Sequence, residues 1–234
     1  AAHGLSVPKS SVSNIKSWLN SARSSIASQI SAGTSAPFIV NPTVGVSNNV
    51  AYITGTAPVL IKSIWVNGVR WPLTWTSVTA WRVAVALKPG VNLLQVTGVD
   101  KHGQPVPGAG DSVVAVYDGI LSSPAGQVVI NEIMVKPIPP NAQYVELHNA
   151  SSNTTYDLSG WQLQGLNYTF PAGSVIAPQA FLLLAANRAA FAAAYGATIP
   201  VFDTFTTPLQ SGGQILSLLQ PGKNGASNLI AQVR

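Results

Sequence analysis

The feature that most constrains this chain is a period-two alternation that sets in after residue 37. Trp81, Val83, Val85 and Leu87 alternate with Arg82, Ala84, Ala86 and Lys88, which gives one apolar face. That spacing suits a half-buried strand and not a helix. Similar short runs recur at regular intervals, separated by the turn residues Asn67-Gly68, Lys88-Pro89-Gly90 and Asp100-Lys101-His102-Gly103. Ile61–Val66 and Val69–Trp71 flank the first turn as a hairpin, and Val91–Val99 follows Gly90 as a strand.

The chain thus reads as all-β from 37 onward, with two β-sandwich modules in tandem, the first immunoglobulin-like in its strand number. About seven strands fit between 37 and 118, the number such a sandwich needs. Residues 119–126, Gly-Ile-Leu-Ser-Ser-Pro-Ala-Gly, have the composition of a linker. A second β-module occupies 127–234, with strands at Val128–Met134, Gln143–Asn149, Gln214–Leu219 and Asn228–Val233. The run Phe181–Ala185 is apolar on both faces and is expected to be a central, covered strand. Asn187 is placed to cap a short helix, Arg188–Tyr195, that Gly196 ends.

The segment 1–36 is the exception. Val12, Ile15, Trp18 or Leu19, Ala22, Ile26 and Ile30 recur at three- and four-residue steps, which predicts a helix over about 9–31. Pro8 precedes it and Gly33 is expected to stop it. Such a helix is marginal in water unless its stripe is covered. It is expected either to dock on the following sandwich or to close a domain that lies upstream.

Composition excludes several function classes. The chain has no cysteine, so disulfides, thiolate catalysis and cysteine-ligated zinc are ruled out. Charged residues are only 8%, against about 25% in an average soluble protein. Ser, Thr, Asn and Gln take their place, as suits an extracellular β-protein. The net charge of +5 comes from few acids, and the basic residues are scattered, so nucleic acid is not an expected partner. The most apolar stretch, 181–202, is interrupted by Asn187, Arg188, Tyr195 and Pro200, so no membrane span is expected. The start, Ala-Ala-His-Gly, is no signal peptide; an exported parent would carry its signal upstream.

Residues 127–234 resemble the lamin-tail domain in its bacterial form. The resemblance rests on an ordered series: Val129-Ile130-Asn131-Glu132-Ile133-Met134, Tyr144-Val145-Glu146-Leu147-His148-Asn149, Asp157-Leu158-Ser159-Gly160-Trp161-Gln162-Leu163 and Phe170-Pro171-Ala172-Gly173. The Phe181–Ala185 strand, the Phe191–Tyr195 helix and the stretch Leu209–Leu219 with its Ser-Gly-Gly turn complete it. His148 departs from the usual aromatic, and the family usually continues past the last strand, which leaves open whether Arg234 is a natural end. The resemblance implies an immunoglobulin-like sandwich and an accessory module of secreted or surface proteins, carried beside hydrolases, nucleases or kinase-like domains.

Thr54-Gly55-Thr56-Ala57-Pro58, Ile64-Trp65-Val66-Asn67-Gly68 and Trp81 through Gly90-Val91-Asn92 to Asp100 and Gly103 resemble immunoglobulin-like domains of bacterial surface proteins. The helix, with Ile15-Lys16-Ser17-Trp18-Leu19, Arg23, Ile26 and Gln29-Ile30, is similar to the closing helix of spore-coat-protein-H-like kinase domains. If so, the phosphotransfer residues belong upstream and none is carried here.

Catalysis needs an acid, a base or a nucleophile beside a partner, and the chain offers seven carboxylates and three histidines. Tyr144, Glu146 and His148 share one strand face, and Glu132 could approach them from the neighbouring strand. That polar cluster could hold a metal or shuttle a proton; the plainer reading is hydrogen-bonded residues on a sandwich face. His3 and His102 stand alone, Asp100, Asp111 and Asp118 lack calcium-loop spacing, and neither a nucleophile elbow nor a phosphate loop is present. No catalytic residue, metal or cofactor is expected. Trp65, Trp71, Trp75 and Trp81 crowd one stretch and could stack on sugar rings, although sandwich tryptophans are commonly core.

The expected function is a non-catalytic structural and interaction region of a larger secreted or surface bacterial protein, spacing or anchoring an upstream domain of the same polypeptide. The alternatives are a carbohydrate-binding accessory module built on Trp65–Trp81, and a hydrolase or metal site at Glu132, Glu146 and His148. A polysaccharide or another surface protein would be the outside partner.

Overall fold

The computed structural model describes residues 9–234, so Pro8 and His3 lie outside the described residues. Helix α1 (Lys9–Ser35) is followed by β1 (Ile39–Val40), β2 (Gly45–Ser47), β3 (Val50–Thr56), β4 (Ser63–Val66), β5 (Leu73–Trp75), β6 (Ala80–Ala86), β7 (Gly90–Val99) and β8 (Pro105–Tyr117). One sheet runs β1-β3-β6-β5, with β2 also paired to β3; the other runs β4-β7-β8. In β6 the alternation read from the sequence becomes geometry: Trp81, Val83 and Val85 are buried and Arg82 is exposed. They meet Ile64, Val66, Leu94, Val96, Val113 and Ala115 of the other sheet in one core. Burying each such side chain contributes about 1.5–3 kcal/mol relative to exposure.

The second set comprises β9 (Val128–Met134), β10 (Tyr144–Asn149), β11 (Tyr156–Asp157), β12 (Gln162–Gln164), β13 (Tyr168–Thr169), β14 (Val175–Ile176), β15 (Phe181–Ala185), α2 (Arg188–Tyr195), β16 (Asp203–Thr204), β17 (Leu216–Pro221) and β18 (Ser227–Val233). The sheets are β16-β15-β10-β9, β13-β12-β17-β18 and the pair β11-β14. Val145, Leu147, Leu182 and Leu184 face Leu163, Leu216, Leu218 and Ile230 across a second core. Leu183 and Ala185 point the other way, into a small cluster with Tyr144 and Phe191 of α2. Strand β15 is therefore covered on both faces, which explains its uninterrupted apolar run. Asn187 caps α2 by accepting from the Ala190 amide at 2.9 Å, and Gly196 at φ 111° closes it.

Helix α1 departs from expectation at its end. It continues past Gly33 to Ser35. Gly33 is there for close packing: a Cβ would lie 2.4 Å from Val59 Cγ2, and the Gly33 carbonyl accepts from the Val59 amide at 2.9 Å. The apolar stripe does not dock on the sheets, and Ile15, Trp18, Leu19, Ile26 and Ile30 are exposed. No helix among the described residues is long and apolar enough to cross a membrane.

Candidate functional site

A buried polar contact joins the two sets of sheets. Asn49, in the turn between β2 and β3, is 1% exposed. Its amide nitrogen donates to the Thr155 carbonyl at 2.7 Å, and its oxygen accepts from the Thr155 amide at 2.8 Å. The side chain thus satisfies both backbone groups of Thr155 as a neighbouring strand would, with a donor and an acceptor side by side. Nearby, Gly173 presses on the backbone of Arg70 and Trp71, and Val175 packs against the N-terminal core. The 119–126 segment is tied down as well. Ser122 Oγ lies 2.7 Å from the Tyr156 hydroxyl and 3.2 Å from Thr154 Oγ1, and the Pro124 carbonyl accepts from the Gln127 and Val128 amides. Asn49, Thr155 and Gly173 were not legible as functional residues, because the two ends of the contact are 106 residues apart in sequence.

Two open cavities flank this junction. One, of about 480 Å³, is lined by Asn49, Lys88, Ser122, Thr155, Asp157 and Trp161 among others. The other, of about 680 Å³, brings Lys62, Arg70 and Trp75 beside Gly173 and Phe202. No carboxylate side chain lines the second cavity.

The four tryptophans of the sequence cluster do not share one surface. Trp81 is 1% exposed and stacks on Phe38 at 6.2 Å; its indole N–H has no hydrogen-bond partner among the described residues. Trp71 is buried and donates to the Val66 carbonyl at 3.2 Å. Trp65, on β4, is half-buried and donates to Ser63 Oγ at 3.1 Å. Trp75 pairs with Trp81 across β5 and β6, but at the sheet end its ring stays open to the groove. Of the four, Trp75 is the exposed one, at 37%.

Glu132, Glu146 and His148 do come onto one sheet face. Glu132 stands opposite Glu146 across β9 and β10, and His148 is two residues further along. A register shift skips Asn131, so Asn131 and Glu132 are both exposed while Ile130 and Ile133 pack against the core. The displaced Asn131 donates to Glu146 Oε1 at 2.8 Å, and the Tyr144 hydroxyl donates to Glu132 Oε1 at 2.6 Å. His148 stacks on Phe181, with ring centroids 4.4 Å apart. Each group of the cluster is thereby engaged with a neighbour. Burial, and then the Glu132 carboxylate, push the Tyr144 phenol well above its ordinary range. Among the described residues, no group of three or more His, Asp or Glu side chains is placed to hold a metal ion.

Asp100 serves a turn, and Asp203 with Arg188 a sheet edge. Asp100 Oδ1 accepts from the Gln104 and His102 amides, and the Gln104 bond is the main reason its carboxyl titrates below the usual range. Asp203 accepts from the Tyr168 hydroxyl at 2.8 Å and lies 3.9 Å from Arg188, which also donates to the Val201 and Phe202 carbonyls. This set anchors the strand after α2.

Neither a curated protein nor a solved structure matches the chain. The family model of the Lamin Tail Domain, an immunoglobulin-like fold, matches residues 122–233, so it is the C-terminal part of the chain, from the segment entering β9 to the end of β18, that is similar to this family.

Proposed function

We propose that the chain is a non-catalytic spacer and interaction region of a larger secreted or surface bacterial protein, which holds an upstream domain of the same polypeptide at a fixed distance and orientation. In this reading, 37–118 and 127–234 are tandem immunoglobulin-like sandwiches and 119–126 is a clamped joint. The observation that carries it is the buried Asn49–Thr155 pairing. Any other packing of the two halves that kept Asn49 buried would leave its amide without partners, at a cost of about 1–3 kcal/mol, which supports this one arrangement. The match to a non-enzymatic family supports the absence of catalysis, and the low charge content supports an extracellular setting. Differential scanning calorimetry tests the joint: one cooperative transition is expected for the full chain, and Asn49→Ala should split or broaden it. Two independent transitions in the unaltered protein would remove the basis of the proposal.

A carbohydrate-binding reading has one observation in its favour. Trp75 is open to a groove that also holds Lys62 and Arg70 and is free of carboxylate side chains. An aromatic face with cations beside it suits a glycan bearing acidic groups. Quenching or shift of tryptophan fluorescence by an acidic polysaccharide, lost in Trp75→Ala, would support it; no response at low salt would remove it.

A further inference from the structure

The groove of about 680 Å³ beside Gly173 is lined from both sets of sheets. Lys62, Arg70 and Trp75 come from the first set, and Gly173 and Phe202 from the second. Phe202 is the counterpart of Trp75. It is 39% exposed, and its ring rests near the buried Phe170, with centroids 6.3 Å apart. Its backbone is fixed as well: its amide donates to the Leu183 carbonyl at 2.8 Å, and its carbonyl accepts from Arg188 at 2.7 Å. Each half therefore presents one exposed aromatic side chain on a fixed frame. The cations belong to the first half only. Lys62 and Arg70 are exposed and make no ion pair among the described residues. Asp203, which follows Phe202, is engaged by Tyr168 and Arg188.

We propose that an acidic glycan is held in this groove by both halves at once, so that its binding and the Asn49–Thr155 junction support each other. The proposal rests on the glycan reading of Trp75 given above. It adds a second aromatic contact, Phe202, and a dependence on the joint. The two rings offer apolar faces to sugar C–H groups, and Lys62 and Arg70 offer charge-assisted hydrogen bonds to a carboxylate or sulfate. The groove holds only two cations and no basic track, whereas a nucleic-acid strand brings a phosphate with every nucleotide. Its width is set where Gly173 presses on Arg70 and where Asn49 pairs with Thr155. A ligand that touches both sides binds only the docked arrangement. Its apparent affinity therefore falls with the fraction of molecules in which the halves are docked. By linkage, the bound ligand favours docking by the same factor.

Isothermal titration calorimetry of the full chain at low salt tests this. An oligogalacturonate serves as the carboxylated probe, a dextran sulfate fragment as the sulfated one, and neutral dextran as the control. Binding is expected in at least one acidic arm, which identifies the acidic group, and not with neutral dextran. Phe202→Ala should weaken it about fivefold or more through the lost ring contact. Asn49→Ala should weaken it about fivefold or more as well, although Asn49 does not line the groove, because the joint sets the fraction of docked molecules. Unchanged affinity in either variant overturns the inference and leaves the Trp75 reading standing. No binding of either acidic glycan by the unaltered chain removes both. Equal affinity for neutral dextran, or for a single-stranded oligonucleotide, overturns the inference too. If Asn49→Ala does not fold, Phe202→Ala still decides.

Discussion

Gly173 lies so close under the Arg70 carbonyl that a Cβ on it would come within 2.0 Å of that oxygen. Its φ of 83° is also in the left-handed region, where a side chain costs about 1–2 kcal/mol. Both faults act in Gly173→Ala, so urea denaturation should show a loss of about 2 kcal/mol or more. A neutral substitution would mean that the two halves are not pressed together at this point.

Asn49→Ala removes the donor and the acceptor that satisfy Thr155. The expected loss is about 2 kcal/mol or more, read as a lower urea midpoint. Asn49→Asp is more informative. It keeps the acceptor, loses the donor and buries a carboxylate whose protonated form burial favours. Its folded pKa is raised, so its stability is retained at low pH and falls as pH rises through that value. Asn49→Asp should therefore approach the stability of the unaltered chain at acid pH and lose it toward neutrality, a trend Asn49→Ala lacks.

Tyr144 and Tyr168 give the alkaline side of the stability curve. Both phenols are pushed up, first by burial and then by Glu132 and Asp203, respectively. A raised folded pKa stabilises the native state below the ordinary value of 10.0, and that contribution is lost as pH rises beyond it. Stability should thus decline above about pH 10, with the late part of the 295 nm phenolate signal accompanying unfolding. Tyr144→Phe and Tyr168→Phe should each flatten the decline.

Trp81 and Trp75 separate core from surface within one strand pair. Trp81→Ala should cost about 3–5 kcal/mol as a large core truncation. Trp81→Phe should cost less, since the indole N–H it removes has no hydrogen-bond partner among the described residues. Trp75→Ala should stay within about 1 kcal/mol in the same denaturation assay, as surface changes do.

Local physics accounts for the parts of the fold that were legible in the sequence. The strand at Phe181–Ala185, the Asn187 cap and the Asn67-Gly68 turn depend on neighbours a few residues away, and all are present, with Asn67 at φ 52° and Gly68 at φ 74°. Gly33 does not end the helix; a glycine that allows close approach and one that stops a helix look alike in sequence. The sequence also put Glu132 near Glu146, but the bulge that turns Asn131 onto Glu146 depends on pairing register, which alternation alone does not encode. The tryptophans were legible as a cluster but not by face: Trp71 and Trp81 belong to the core, and Trp75 escapes it only because β5 ends there. The junction was hidden altogether, since Asn49 follows Asn48 in what reads as an ordinary turn.

The rigidity of the joint is most directly measured by the spread of distances between its two halves. With no native cysteine, Ser112→Cys and Thr169→Cys place one spin label on an exposed strand position in each half. Double electron–electron resonance, with the labelled chain diluted in unlabelled protein, should give a single narrow distance distribution that broadens in Asn49→Ala. A broad or multi-peaked distribution in the otherwise unaltered chain would contradict the account.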